Sequence, residues 1–207
     1  FITNHEIFNF PKNKSSFKSR GIYQTWFDYK FMSEVNKQSP HLIKYGISDV
    51  YALKLATQEW LLGPNYKSME SDLVTIVIVE KVISLLKDCV LNDCLKSLIL
   101  AQSLLNIITE IKGSAPASGT EHLYANVMER NFNSKEPHGK LVAKGIIYQM
   151  KLSPFGLKKE ILDDMNLLGI YPNETNLIDS ELSENIKLEM INLSKKKKRF
   201  SYLNLRK

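Results

Sequence analysis

Four histidines, His5, His41, His122 and His138, are the chain's imidazoles, and two of them stand in short motifs whose residue types could do chemistry. His122 closes PASGTEH (116–122), and His138 opens HGKLVAKG (138–145), with a turn-like NFNSKEP (131–137) between them. A divalent ion needs several lone-pair donors converging from different elements, and two facing helix starts could each supply an imidazole. A plainer reading competes at the first motif. Ser118 and Glu121 fit a capping box, Ser accepting from one backbone N–H while Glu reaches back to another, which would make His122 a first-turn residue beside a good cap. Spacing alone leaves both readings open. Singly, each histidine also has a structural or solvent-facing reading. The chain has no HExxH, no paired CxxC, no Walker loop and no GxSxG elbow. It has no GxGxxG after a strand either, so it shows no dinucleotide site of its own.

The elements that must position these residues read as helices from residue 46 almost to the end. DVYALKLATQEWLLG (49–63) has an acidic start at Asp49, where an N-cap reading is natural, and a Gly-Pro stop. LVTIVIVEKVISLLK (73–87) is β-branched, but its length favours a buried helix. LNDCLKSLILAQSLLNIITEIKG (91–113) is a long helix ending at Gly, followed by a capped helix from Ser118 and another from His138. SPFGLKKEILDDMNLLG (153–169) suggests a helix with Ser153 as N-cap, Pro at the first position and Gly at the stop. A last helix is expected from Ser180 to the lysine run. Residues 1–40 differ: aromatic-rich (GIYQTWFDYKF, 21–31) and broken by Pro11, Gly21 and Pro40, they read as an irregular extension. The expected fold is all-α, six or seven helices over 41–207.

Hydrophobic residues make up 43% of the 207, enough for a real core. The two cysteines, Cys89 and Cys94, suggest no disulfide framework, and a reducing, cytoplasmic setting follows. Apolar runs such as LVTIVIV (73–79) are far shorter than the roughly 20 residues of a membrane span, and no signal peptide is visible. Much of the +6 charge sits in Lys195 to Arg199, read as a solvated helix end whose cations suit the helix dipole. No nucleic-acid motif accompanies it, so nucleic acid is not an expected partner. The chain opens FITNHEIF, without an initiator Met, which suggests a processed chain or part of a longer one.

PASGTEH followed by HGKLVAKG resembles the metal-binding helical domain of the glycerol-1-phosphate dehydrogenase family, within the wider group of glycerol dehydrogenase, iron-containing alcohol dehydrogenases and dehydroquinate synthase. GISDVYALKLATQEW (46–60) is similar to the family's GxGD segment, with Asp49 followed eleven residues later by Trp60. LGIYP (168–172) and RFSYLN (199–204) also look like the end of such chains. The resemblance covers roughly residues 40 to 207. It implies a dehydroquinate synthase-like helical domain in which one divalent ion, zinc first and iron or nickel as alternatives, is held by Asp49, His122 and His138. It also implies an oxidoreductase in which the ion polarises a polyol or polyol-phosphate oxygen while NAD or NADP carries the hydride. The dinucleotide would sit on an N-terminal α/β domain that these residues lack; residues 1–40 would be the stretch leaving it, and the 207 residues alone should be inactive.

The sequence departs from the family at Ser48 for the second Gly of GxGD, at Leu53 for a Lys (Lys54 is adjacent), at Ala115 for an Arg before PASG, and at Leu123 for the second His of EHH. These losses bear on a phosphorylated substrate more than on the metal. The alternatives are a dehydroquinate-synthase-like cyclase, which would share the metal trio, and a non-catalytic helical module contacting an acidic partner through KKKKR (195–199). A homo-oligomer is compatible with each.

Overall fold

The computed structural model describes residues 40–63, 70–91, 94–156, 158–172 and 182–204. It is all-α, with no strand among the described residues. Helices α1 (Pro40–Tyr51) and α2 (Leu53–Leu61) follow each other with only Ala52 between them. Hydrogen bonds from Ala52 N–H to the Ser48 carbonyl and from Ala56 N–H to the Ala52 carbonyl carry the ladder across the joint. Val50, Tyr51, Ala52 and Leu53 at this joint are fully buried, so the middle of the α1–α2 rod is the centre of the core.

Around the rod lie α3 (Glu70–Leu91), α4 (Cys94–Lys112), α5 (Thr120–Arg130), α6 (His138–Leu152), α7 (Lys159–Leu167) and α8 (Glu184–Lys196), then a 3-10 turn at Tyr202–Asn204. α3 and α4 pair as a hairpin, α5 pairs with α6, α1 packs on α6, α4 and α3, and α8 covers α5. A buried polar knot fixes α7 against the rod and α3. Asp164 accepts from the Tyr51 hydroxyl at 3.0 Å and pairs with Lys54 at 3.1 Å and Lys87 at 2.6 Å. The three donors hold the Asp164 carboxyl below its ordinary range despite burial, so this anion is compensated where it sits.

Several boundaries differ from those the sequence suggests. The first helix begins at Pro40, so Asp49 lies in the last turn of α1 and is not an N-cap. The expected helix start at Ser153 is the C-cap of α6 instead; residues 153–156 form a turn with Gly156 at φ +66°, and α7 begins only at Lys159. The last helix starts at Glu184, capped by Ser183 accepting from the Ile186 N–H. Gly113 and Gly169, expected as stops, do end α4 and α7 with φ +73° and +66°. The cysteines fall on consecutive helices, α3 and α4, and neither is in a disulfide; the Cys89 thiol donates to the Cys94 carbonyl at 3.3 Å. Of the irregular extension expected over 1–40, residues 1–39 lie outside the described residues, and Pro40 belongs to α1 instead. By length and composition one described helix, α4, is apolar enough to cross a membrane. It buries Leu95, Leu98, Ala101 and Ile108 in the bundle core, and no clear membrane span emerges.

Candidate metal centre

α6 reaches both of its partner helices at close range because it carries glycine where they meet. A Cβ on Gly139 would overlap the Tyr45 carbonyl of α1 and lie 2.6 Å from the Tyr45 Cα; a Cβ on Gly145 would overlap the Glu121 carbonyl of α5 and lie 2.8 Å from its Cα. The two glycines of HGKLVAKG therefore let α1, α5 and α6 approach one another backbone to backbone. Asp49 stands one turn beyond Tyr45 on α1, His122 one residue beyond Glu121 on α5, and His138 at the first position of α6.

The outcome is that one carboxylate and two imidazoles, from three helices, have donor atoms all within 4.8 Å of one another. Among the described residues no other group of three or more His, Cys, Asp or Glu side chains meets that test. His122 Nε2 lies 2.9 Å from Asp49 Oδ1, and His138 Nε2 lies 3.6 Å from the same oxygen. The rings stand 5.6 Å apart, tilted by 50°. All three side chains are mostly buried, with a minor exposed fraction. Of the other histidines, His41 is exposed and edges onto Tyr45, and His5 lies outside the described residues.

Burial alone would raise the Asp49 pKa, but the His122 hydrogen bond and the charges of His122 and His138 outweigh it and hold the carboxyl well below its ordinary range. Burial pulls His122 down, yet its hydrogen bonds to Asp49 and Glu121 and their charges win, pushing it up to about 10. As it stands, a proton on Nε2 does what a cation between these groups would do, and the two compete for the same place. An oxygen and two nitrogen donors form a set that suits zinc and tolerates iron or nickel. The donor set and its convergence therefore fit one divalent ion.

The motif around His122 folds differently from a capping box. The N-cap of α5 is Gly119, and Ser118 makes no cap bond: its hydroxyl and carbonyl accept from Arg199, whose other nitrogen donates to Ser114 Oγ. Only half of the box survives, in that Glu121 Oε1 accepts the Gly119 N–H at 2.7 Å. Arg199 is thus withdrawn from the solvated lysine run to clamp the 114–118 loop.

A second carboxylate completes the entry to α5. Glu59, on α2, accepts from the Thr120 N–H and the Tyr202 N–H, and also from the Thr120 hydroxyl and the Gln149 amide, tying four segments together at the base of His122. A Cβ on Gly119 would crowd Glu59 Oε2 and fall 2.8 Å from Glu121 Oε2 and 3.0 Å from Gln149 Nε2, so these side chains close around that position. Lys54 turns away to Glu160 and Asp164 and makes no contact with the metal trio. Leu123 lies in the core beside the trio.

Two residues that touch the histidines had no counterpart in the sequence reading: Glu129, 2.8 Å from His138 Nδ1, and Glu121 in its role 2.7 Å from His122 Nδ1. The usable signal was helical spacing, since Glu129 follows His122 by two turns on α5. The chain matches no protein-family model and no characterised protein at a significant level. The structure thus defines an all-α bundle with one candidate three-residue metal centre at the junction of α1, α5 and α6.

Proposed function

We propose that this chain binds one divalent ion, zinc first, through Asp49, His122 and His138. On this reading it is the metal-binding helical part of an NAD(P)-dependent dehydrogenase acting on a polyol or a related phosphorylated alcohol, in a cytoplasmic setting. The observation that carries the reading is the convergence of those three donors from three helices on one point. The ordered motifs GISD, PASGTEH and HGKLVAKG, which resemble the glycerol-1-phosphate dehydrogenase family, support the reaction class.

A bound divalent ion supplies Lewis acidity toward a substrate hydroxyl or carbonyl. The chain's own residues hold that ion and keep the site largely shielded from water, with a minor exposed fraction on each ligand side chain. Leu53 stands where the family carries a Lys, and the adjacent Lys54 is engaged by Glu160 and Asp164; this favours an uncharged polyol over its phosphate ester. NAD or NADP would be held on a separate α/β domain, so the hydride step needs more than these 207 residues.

The test is metal content by elemental mass spectrometry of the purified chain beside an Asp49/His122/His138 triple alanine variant. About one zinc per chain in the parent, lost in the variant, is the expected result. Equal metal in both, or none in the parent after incubation with zinc, would remove the reading.

A further inference from the structure

A neutral imidazole has one N–H and one lone pair, and the group facing one nitrogen decides which nitrogen keeps the proton. In both histidines of the trio the arrangement is the same. Nδ1 faces a carboxylate, Glu121 Oε1 at 2.7 Å for His122 and Glu129 Oε1 at 2.8 Å for His138. Nε2 faces Asp49 Oδ1 in both. An ionised carboxylate only accepts, so in the neutral imidazole each Nδ1 is the N–H and each Nε2 carries the lone pair.

We infer that Glu121 and Glu129 are the positioning residues of this metal centre, each fixing one histidine ring and its tautomer so that both Nε2 lone pairs are presented to the same ion. The inference rests on the metal reading above and goes beyond it, since neither glutamate belongs to the ligand set that the motifs imply. The two carboxylates come from opposite ends of one helix, the first and last turns of α5, so a single rigid element sets both rings. They are not equivalent. Glu121 is fully buried and also holds the Gly119 N–H, so it builds the helix entry as well as the site. The Glu129 side chain is 35% exposed and lies at the far end of α5 from that entry, so its substitution leaves the helix entry intact.

The pair also changes the charge of the centre. A divalent ion with Asp49 and two neutral imidazoles carries one net positive charge; two outer carboxylates turn that into one net negative charge. This strengthens the histidines as donors and retains the ion more tightly.

The experiment is zinc affinity of the full chain, by competition with a chromophoric chelator, for the parent and for E129Q, E129A and H138A, with thermal unfolding of each metal-free protein alongside. E129Q and E129A should bind zinc about 10- to 100-fold more weakly than the parent while their metal-free unfolding midpoints stay with the parent's. The cobalt-substituted parent should show a tetrahedral visible spectrum that E129Q alters. Zinc affinity unchanged in both Glu129 variants, with H138A impaired, would overturn the positioning role and leave the metal reading standing. No zinc binding in the parent, or H138A binding like the parent, would overturn both.

Discussion

Glu59 is a carboxylate with almost no access to water, within reach of a second buried carboxylate, Glu121. Burial first, then the Glu121 charge, push Glu59 up to about 7, against the Thr120 and Tyr202 donors that favour its ionised form. Gln149 Oε1 has no hydrogen-bond partner as the amide is placed, and turning that amide over would set Oε1 against a protonated Glu59. The sign then follows from linkage. Between its ordinary value of 4.5 and about 7 the folded state binds a proton that the unfolded chain does not. Stability from this group is therefore full below 4.5 and is lost as pH rises toward 7, by on the order of 3 kcal/mol. The Glu59→Gln variant should lose that dependence. Urea midpoints at pH 5, 6 and 7 for parent and variant measure it as a difference, which cancels the carboxylates that titrate lower. Parallel curves would mean that the four donors keep Glu59 ionised throughout. Nothing in TQEWLL marks this Glu as internal, because its donors come from residues 120, 149 and 202, far along the chain. His122 and His138 were legible as a pair, since their types and motifs are local. Ser118 misled for the same reason that Glu59 was invisible: its actual partner, Arg199, lies 81 residues away.

At the scale of helices, the glycines of α6 set the site. Gly145→Ala puts a methyl into the Glu121 backbone, which cannot yield as a flexible side chain would, and helix α6 must move off α5. The better helix propensity of alanine, worth up to about 1 kcal/mol, is the smaller effect. Overpacking of this kind costs about 1–3 kcal/mol or more, so the net change should be destabilising. Zinc affinity should fall as well, because His122 rides on α5 and His138 on α6. Chemical denaturation and chelator competition read the two effects separately; a variant as stable as the parent, with unchanged zinc affinity, would show that the α5–α6 contact does not set the donor geometry. Helix type was readable throughout, LVTIVIV included, because length overrode β-branched propensity. Helix starts were harder. Asp49 looks like a cap and Ser153–Pro154 looks like a helix opening, yet the first sits nine residues inside a helix and the second ends one. Capping residues are also turn residues, and only the packing of α1 on α6 and the turn at Gly156 decide which role each takes. The stops at Gly113 and Gly169 were legible because a positive φ has few other occupants.

Across the whole molecule, the candidate centre joins α1, α5 and α6 near the middle of the bundle, where only three side chains would hold an ion. Without an ion the same place is held by a proton on His122 between Asp49 and Glu121. The folded bundle gathers these donors from residues 49, 122 and 138, whereas the unfolded chain scatters them. A metal bound at this point therefore stabilises the fold by mass action. At a free zinc concentration 100 times the dissociation constant the gain is about 2.7 kcal/mol, which for a chain of this size raises the unfolding midpoint by roughly 5–10 °C. Magnesium, which prefers an octahedral oxygen shell, should shift the midpoint little. H138A should unfold at one temperature with or without zinc, whereas a variant of the lysine run such as Lys196→Ala, on the exposed end of α8, should keep the full zinc response. Thermal scans across a zinc series decide the matter. A midpoint that rises with zinc in the parent and stays flat in H138A ties the metal to the bundle's stability; a rise that survives H138A would place the zinc elsewhere on the chain and detach the fold from this trio.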